Sequence, residues 1–100
     1  MVPPGAHYEF FEGPVFVSLT HGQQELIAAI TQETRMRYDR FEKLEEELRV
    51  GSIKFGGVQF GFVVQRYPRG RMSLVWVWNK DRDELSSDDV AKKIAEWRRT

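Results

Sequence analysis

The sequence predicts an α+β fold with a long helical segment, an antiparallel β-meander and a closing helix. Three observations predict this class. Apolar residues recur with helical spacing over 20–51, they alternate over 53–78 between glycine-containing turns, and a capped amphipathic segment follows residue 85. A length of 100 residues suits one hydrophobic core, so we expect a single domain over residues 1–100.

The N-terminal segment is expected to hold a loose leader, residues 1–6, followed by a β-hairpin or one bent strand. The runs 7–12 and 15–19 are rich in aromatic and β-branched residues, and Gly13 and Pro14 separate them. Because proline cannot donate a hydrogen bond to a ladder, Pro14 fits the first residue of a strand or an edge position.

Residues 20–51 carry the longest periodic pattern, and we predict one long helix or two consecutive helices here. Thr20 and Gln23 have the spacing of a capping box, and Gly51 suits the left-handed residue that ends many helices. A single helix of this length would be longer than the core of a 100-residue domain. Either the helix breaks around residues 31–34 and two helices fold back on the sheet, or a homodimer forms whose second copy covers the far end. The apolar surface for such a dimer would be made of Ile27, Ile30, Phe41, Leu44 and Leu48.

A β-meander is predicted after the helical segment. Paired glycines at 56–57 suit a tight turn or bulge, and the turn at 68–70 joins two strands with alternating apolar residues. The alternation places four residues of the returning strand on one face, namely Met72, Leu74, Trp76 and Trp78.

The closing helix is predicted to begin at Ser86 or Ser87, where a hydroxyl can cap it and the two following aspartates suit the helix dipole. Val90, Ile94 and Trp97 share one face of this helix. The helix ends with two arginines, where the dipole favours cations.

Composition narrows the function classes. The chain has no cysteine, which removes thiolate nucleophiles and cysteine metal sites. The start has neither the basic region nor the apolar run of a signal peptide, and no apolar stretch reaches the ~20 residues of a membrane span, so we expect a cytoplasmic protein. His21 and Glu25 have the spacing of two metal ligands on a helix, but no third ligand is evident, so no metal or cofactor is expected. No serine lies in a Gly-x-Ser-x-Gly elbow and no phosphate-binding glycine motif occurs, which favours a non-enzymatic protein.

Charge is distributed unevenly although the formal net charge is zero. Residues 52–79 contain four bases and no acid, and three of these bases are arginines in the predicted hairpin tip at 66–71. Arginine can bind carboxylates or phosphates through two parallel hydrogen bonds, and nearby aromatic residues could anchor an interface or pack in the core. Pairing with acids of segment 42–47 is the alternative for the arginines. The predicted partner-binding residues are Arg66, Tyr67, Arg69, Arg71, Trp76 and Trp78.

The leading hypothesis is a protein-binding module of the inhibitor or adaptor kind, such as mobile elements carry, whose partner is another protein. Nucleic acid is the first alternative, because a two-stranded ribbon fits the major groove. Residues 68–71 are also similar to the core of minor-groove AT-hook segments, with Met72 in place of the second proline. The second alternative is an enzyme, since the order of elements resembles that of small ribosome-dependent ribonuclease toxins. Such an enzyme would use Arg66, Tyr67, Arg69, Arg71 or Lys80.

Overall fold

The computed structural model describes residues 21–99, which form two helices and a four-stranded antiparallel sheet of strand order β1-β2-β3-β4. The predicted α+β class, with its meander and its closing helix, is confirmed. The predicted leader, N-terminal hairpin and Thr20 cap lie outside the described residues. The elements are α1 (His21–Arg37), β1 (Glu42–Glu45), β2 (Leu48–Phe55), β3 (Val58–Arg66), β4 (Met72–Asn79) and α2 (Ser87–Arg99).

The first helix is shorter than predicted. It ends at Arg37, a single 3-10 turn follows at Tyr38–Arg40, and residues 42–55 form β1 and β2. The prediction that one helix or a helix pair reaches residue 51 is therefore wrong. Antiparallel pairing of all of β2 with β3 overrides the helix propensity of this segment. Gly51, predicted to end the helix, instead pairs with Phe62 inside the sheet.

One helix covers each face of the sheet. Alternate residues of a strand point to opposite faces, and β3 uses both of them. On one face, α1 contributes Leu26 and Ile30 to a core cluster with Tyr38, Phe62 and Val64. On the other face, α2 contributes to a second cluster, which consists of Leu48, Val63, Val75, Trp76, Trp78, Val90 and Ile94.

A register shift in β4 divides its apolar residues between the two faces. Val63 pairs with Trp76, whereas the next residue, Val64, pairs with Leu74. The extra residue, Val75, forms a bulge, and side chains of paired residues share a face. Leu74 therefore faces α1 while Trp76 faces α2, and the prediction that residues 72–78 present one alternating face is wrong.

Gly61 is required by the packing of Trp78. The two residues are paired across β3 and β4, and the indole lies over the glycine. A Cβ atom added at Gly61 would lie 2.3 Å from Cζ2 of Trp78. The indole of Trp76 stacks on that of Trp78 with ring centroids 4.5 Å apart, so Trp78 has little room to move away.

Both ends of α2 are attached to β1. At the N-terminus, Ser86 is the cap: its hydroxyl accepts a hydrogen bond from the Asp89 N–H at 3.2 Å, and Asp89 Oδ2 accepts from the Ser86 N–H at 3.1 Å. The hydrogen bonds that the Asp89 carboxylate accepts from Ser86, first from the backbone N–H and then from the hydroxyl at 2.9 Å, lower the pKa of Asp89. The next residue, Ser87, donates to Glu42 of β1. Near the C-terminus, Arg98 Nη1 donates to both carboxylate oxygens of Glu45, at 2.9 and 2.8 Å.

The contact between Gly61 and Trp78 gives a first prediction. Gly61→Ala should lower the free energy of unfolding by about 1–3 kcal/mol, the usual cost of overpacking a core. Urea denaturation followed by tryptophan fluorescence measures this change. In a Trp78→Leu background the same substitution should cost less, because the obstructing ring is absent. Equal costs in the two backgrounds would show that the indole is not the reason for the glycine.

Candidate functional site

The turn between β3 and β4, residues 66–71, is the hairpin tip. A 3-10 turn at Pro68–Gly70 forms its apex, and the Tyr67 N–H donates to the Arg71 carbonyl at 2.7 Å to close the loop. All residues from Pro68 to Arg71 are exposed. The structure therefore presents this segment at the surface.

Arg69 adopts a left-handed backbone conformation at the apex. Its angles are φ 71° and ψ 19°, and it is the non-glycine residue with positive φ in the described part of the chain. Crowding between Cβ and the carbonyl oxygen makes this region cost an L-residue with a side chain roughly 1–2 kcal/mol. The neighbouring Gly70, with φ 77°, avoids that cost. An arginine side chain is thus held at the apex despite a backbone conformation that suits glycine.

Arg66 is held by the rest of the domain. Its Nε donates to Glu47 Oε2 at 3.2 Å, and its Nη1 lies 3.8 Å from Asp39 Oδ1. The backbone N–H of Arg66 also donates to the Glu47 carbonyl at 2.9 Å. The hydrogen bond to Glu47 raises the pKa of Arg66. The structure thus shows that Arg66 pairs with an acid of segment 42–47. The sequence analysis gave this pairing as the alternative to partner binding.

Tyr38 anchors the base of the tip. Its side chain is 4% exposed, and its hydroxyl donates to the Glu47 carbonyl at 2.9 Å. The guanidinium carbons of Arg49 and Arg66 lie 5.0 and 4.6 Å from the centroid of its ring. Burial raises the pKa of Tyr38, although the two arginines oppose the shift. Because all these partners come from β2, β3 and the turn before β2, the end of α1 and the base of the tip form one unit.

Arg49 stabilises the turn between β1 and β2. Its Nη1 donates to the carbonyls of Glu45 and Glu46, both at 2.9 Å, and to that of Leu48 at 3.1 Å. This fixes the backbone beside Glu47, the residue that binds both Tyr38 and Arg66. Sequence patterns did not reveal this set of contacts, since its members are far apart along the chain.

The remaining two arginines of the tip are exposed. Neither Arg69 nor Arg71 has a carboxylate partner among residues 21–99, and Arg71 lies over the ring of Tyr67 with its Cζ 5.6 Å from the centroid. A groove of about 420 Å³ adjoins Arg69. It is lined by Glu47, Arg66, Tyr67, Pro68, Arg69 and Gly70.

The two tryptophans predicted to bind a partner are in the core. Trp76 is 2% exposed and Trp78 is 8% exposed, both in the cluster beneath α2. Their side chains therefore pack between the sheet and α2 and do not extend the surface of the tip. Packing in the core was the alternative that the sequence left open for these aromatic residues.

The residues predicted for a dimer surface do not share a helix. Ile27 and Ile30 lie on α1, Phe41 follows the 3-10 turn, Leu44 is in β1 and Leu48 begins β2. Ile30 and Leu48 are buried on opposite faces of the sheet. The five side chains thus do not form one continuous stripe, so the prediction that they make a common dimer surface is wrong. The homodimer itself stays a prediction.

The residues named for a ribonuclease are only partly brought together. Arg66, Tyr67, Arg69 and Arg71 form the tip, but Lys80 follows the opposite end of β4. The eight residues of β4 separate Arg71 from Lys80, so the two lie nine steps apart along the strand, which corresponds to about 30 Å. Lys80 therefore cannot act on a group bound at the tip.

No metal site is assembled in the part of the chain that the structure describes, where no three His, Cys, Asp or Glu side chains lie close enough to share an ion. The side chain of His21 is not among those described. Neither helix of residues 21–99 has the length and apolarity needed to cross a membrane. Comparison with known proteins gives no match to any protein family, any curated protein or any solved structure.

The contacts of Tyr38 give a second prediction. Tyr38→Phe removes the hydrogen bond to the Glu47 carbonyl and should lower the free energy of unfolding by about 1 kcal/mol. Arg66→Met keeps an apolar side chain but removes the guanidinium. It should lower the free energy of unfolding by about 0.5–1 kcal/mol more in the wild type than in the Tyr38→Leu variant, because only the tyrosine ring attracts the guanidinium. Urea denaturation of the four proteins of this cycle measures the coupling. Strict additivity would show that the ring and the guanidinium do not interact.

Proposed function

We propose that this protein is a non-enzymatic protein-binding module, of the inhibitor or adaptor kind, which contacts another protein through the hairpin tip. One observation carries the proposal: Arg69 and Arg71 are exposed at the tip and make no ion pair within residues 21–99. Arginine is enriched at protein interfaces and at their energetic centres, where its planar group binds carboxylates and carbonyls.

The tip has a rigid base, which supports a binding role. Binding residues are commonly placed on loops that a fixed scaffold positions. Here the scaffold is the contact of Arg66 with Glu47 and Tyr38, together with the antiparallel pairing of β3 and β4. A preorganised loop loses less conformational entropy on binding than a flexible one.

Charge favours a protein partner over nucleic acid. Asp39, Glu46 and Glu47 lie at the same end of the sheet as the tip, and the formal net charge of the chain is zero. Nucleic-acid affinity depends on many contacts between basic side chains of the protein and phosphates of the nucleic acid. Nearby carboxylates weaken these contacts. A surface with both signs of charge is typical of the polar rim of a protein interface.

Reversal of charge at the tip gives a third prediction. The Arg69→Glu, Arg71→Glu variant should lose its protein partner, because two attractive contacts become repulsive. The wild type and the variant are immobilised, exposed to an extract of the source cells, and the bound proteins are quantified by mass spectrometry. We expect a protein that the wild type retains and the variant loses by about tenfold or more.

The matched control is a Lys92→Glu, Arg99→Glu variant, which changes the charge equally at two exposed positions of α2. It should retain the partner. Tip-dependent and salt-sensitive retention of RNA or DNA would contradict the proposal in favour of nucleic acid. Cleavage of RNA by the purified protein would contradict the non-enzymatic part.

A further inference from the structure

We infer that the partner presents an acidic segment whose carboxylates bind Arg69 and Arg71. This inference rests on the proposed protein-binding function and specifies the chemistry of the partner. It follows from the distribution of paired and unpaired charges at this end of the sheet, from the backbone of Arg69 and from the position of Arg71.

The acids closest to the tip along the β1–β2 turn are already paired within the chain. Glu45 binds Arg98 at 2.8 Å, Glu46 binds Lys43 at 2.9 Å, and Glu47 binds Arg66 at 3.2 Å. Within residues 21–99, Arg69 and Arg71 are left without an ion-pair partner at the tip. A second copy of this chain could supply a carboxylate from its β1–β2 turn only by breaking one of these pairs.

The backbone of Arg69 indicates that its side chain is used. Glycine would adopt φ 71° with less strain, and the side chain of Arg69 is exposed at the apex. An unfavourable backbone conformation that the surrounding structure maintains points to a functional constraint. The guanidinium at this position is therefore the part of the residue that a partner would recognise.

Arg71 is partly preorganised for the same contact. Its guanidinium lies over the ring of Tyr67, which restricts the side chain before a ligand arrives. Fewer rotamers are then lost when a carboxylate binds. Arg71 and Arg69 are separated by Gly70 alone, so both can contact one acidic segment.

Glu47 and Asp39 select the position of that segment. Glu47 lines the groove beside Arg69, and Asp39 is 90% exposed near Arg66. Carboxylates placed at Arg66 would meet both acids, whereas Arg69 shares the groove with only one of them, Glu47, which Arg66 already binds, and Arg71 is not among the residues that line it. Repulsion between these two acids and carboxylates of a partner contributes to specificity, because it disfavours segments that bind in other positions. A regularly charged phosphate backbone would meet the acids more often than a short peptide.

A labelled peptide tests the inference directly. The probe is a fluorescein-labelled peptide of eight alternating aspartate and glutamate residues, and its asparagine–glutamine counterpart is the neutral control. Fluorescence anisotropy at low ionic strength should show saturable binding of the acidic peptide only. Arg69→Ala, Arg71→Ala should weaken binding by about tenfold or more, and added salt should weaken it further. Lys92→Ala, Arg99→Ala should leave binding unchanged.

Arg69→Gly separates stability from recognition. It should raise the urea midpoint of unfolding, because the left-handed conformation suits glycine, and it should weaken binding of the acidic peptide at the same time. Arg69→Lys keeps the charge and the strained backbone, so it should retain more of the binding than Arg69→Gly. A variant that merely disturbed the fold would lose stability and binding together.

Four results would overturn the inference: no saturable binding, equal binding by the tip variant, tighter binding of an oligouridylate of the same charge, or tip-dependent self-association of the wild type. If capture of a cellular protein depends on the tip but the acidic peptide does not bind, the inference about an acidic segment is wrong while the proposed protein-binding function stands. If neither the peptide nor a cellular protein depends on the tip, the proposed function fails with it.

Discussion

Burial of β3 on both faces is the constraint on which the rest of the structure depends. Phe62, Val63 and Val64 are consecutive and all buried, so each face of the sheet needs a cover. Two helices supply it, α1 against Phe62 and Val64 and α2 against Val63. A meander places consecutive strands side by side and leaves the chain before β1 and after β4 free to provide one helix each. Removal of either helix would expose part of a continuous apolar row.

The hairpin tip is linked to this core through the same strand. β3 continues beyond its buried centre and ends at Arg66, whose side chain turns back to Glu47 and to the ring of Tyr38. Tyr38 belongs to the cluster beneath α1, and its hydroxyl binds the Glu47 carbonyl. The apex residues therefore extend from a base that is packed and hydrogen-bonded, although they are themselves exposed.

Local signals made part of this fold predictable. Ser86 followed three residues later by an acid indicates a capped helix, and alternating apolar residues with glycine turns indicate a meander; both depend on neighbours in the sequence. The end of α1 was not predictable in this way, since residues 42–50 are rich in Glu and Leu, which favour helix. Their strand conformation comes from pairing of β2 with β3, which is a non-local interaction. The tip could be predicted from the charge pattern, but the contact of Tyr38 with Arg66 could not, because nothing in the sequence connects them.

The tip uses one residue type for two physical tasks. Arg66 has a hydrogen-bonded carboxylate and an aromatic ring as partners, so its charge is neutralised inside the chain and its loss would loosen the loop. Arg69 and Arg71 make no ion pair within residues 21–99, although Arg71 lies over the ring of Tyr67, and Arg69 adds backbone strain. Glycine would adopt the left-handed backbone conformation of Arg69 with less strain. The guanidinium groups of Arg69 and Arg71 thus give the tip a positive charge that no ion pair within residues 21–99 neutralises.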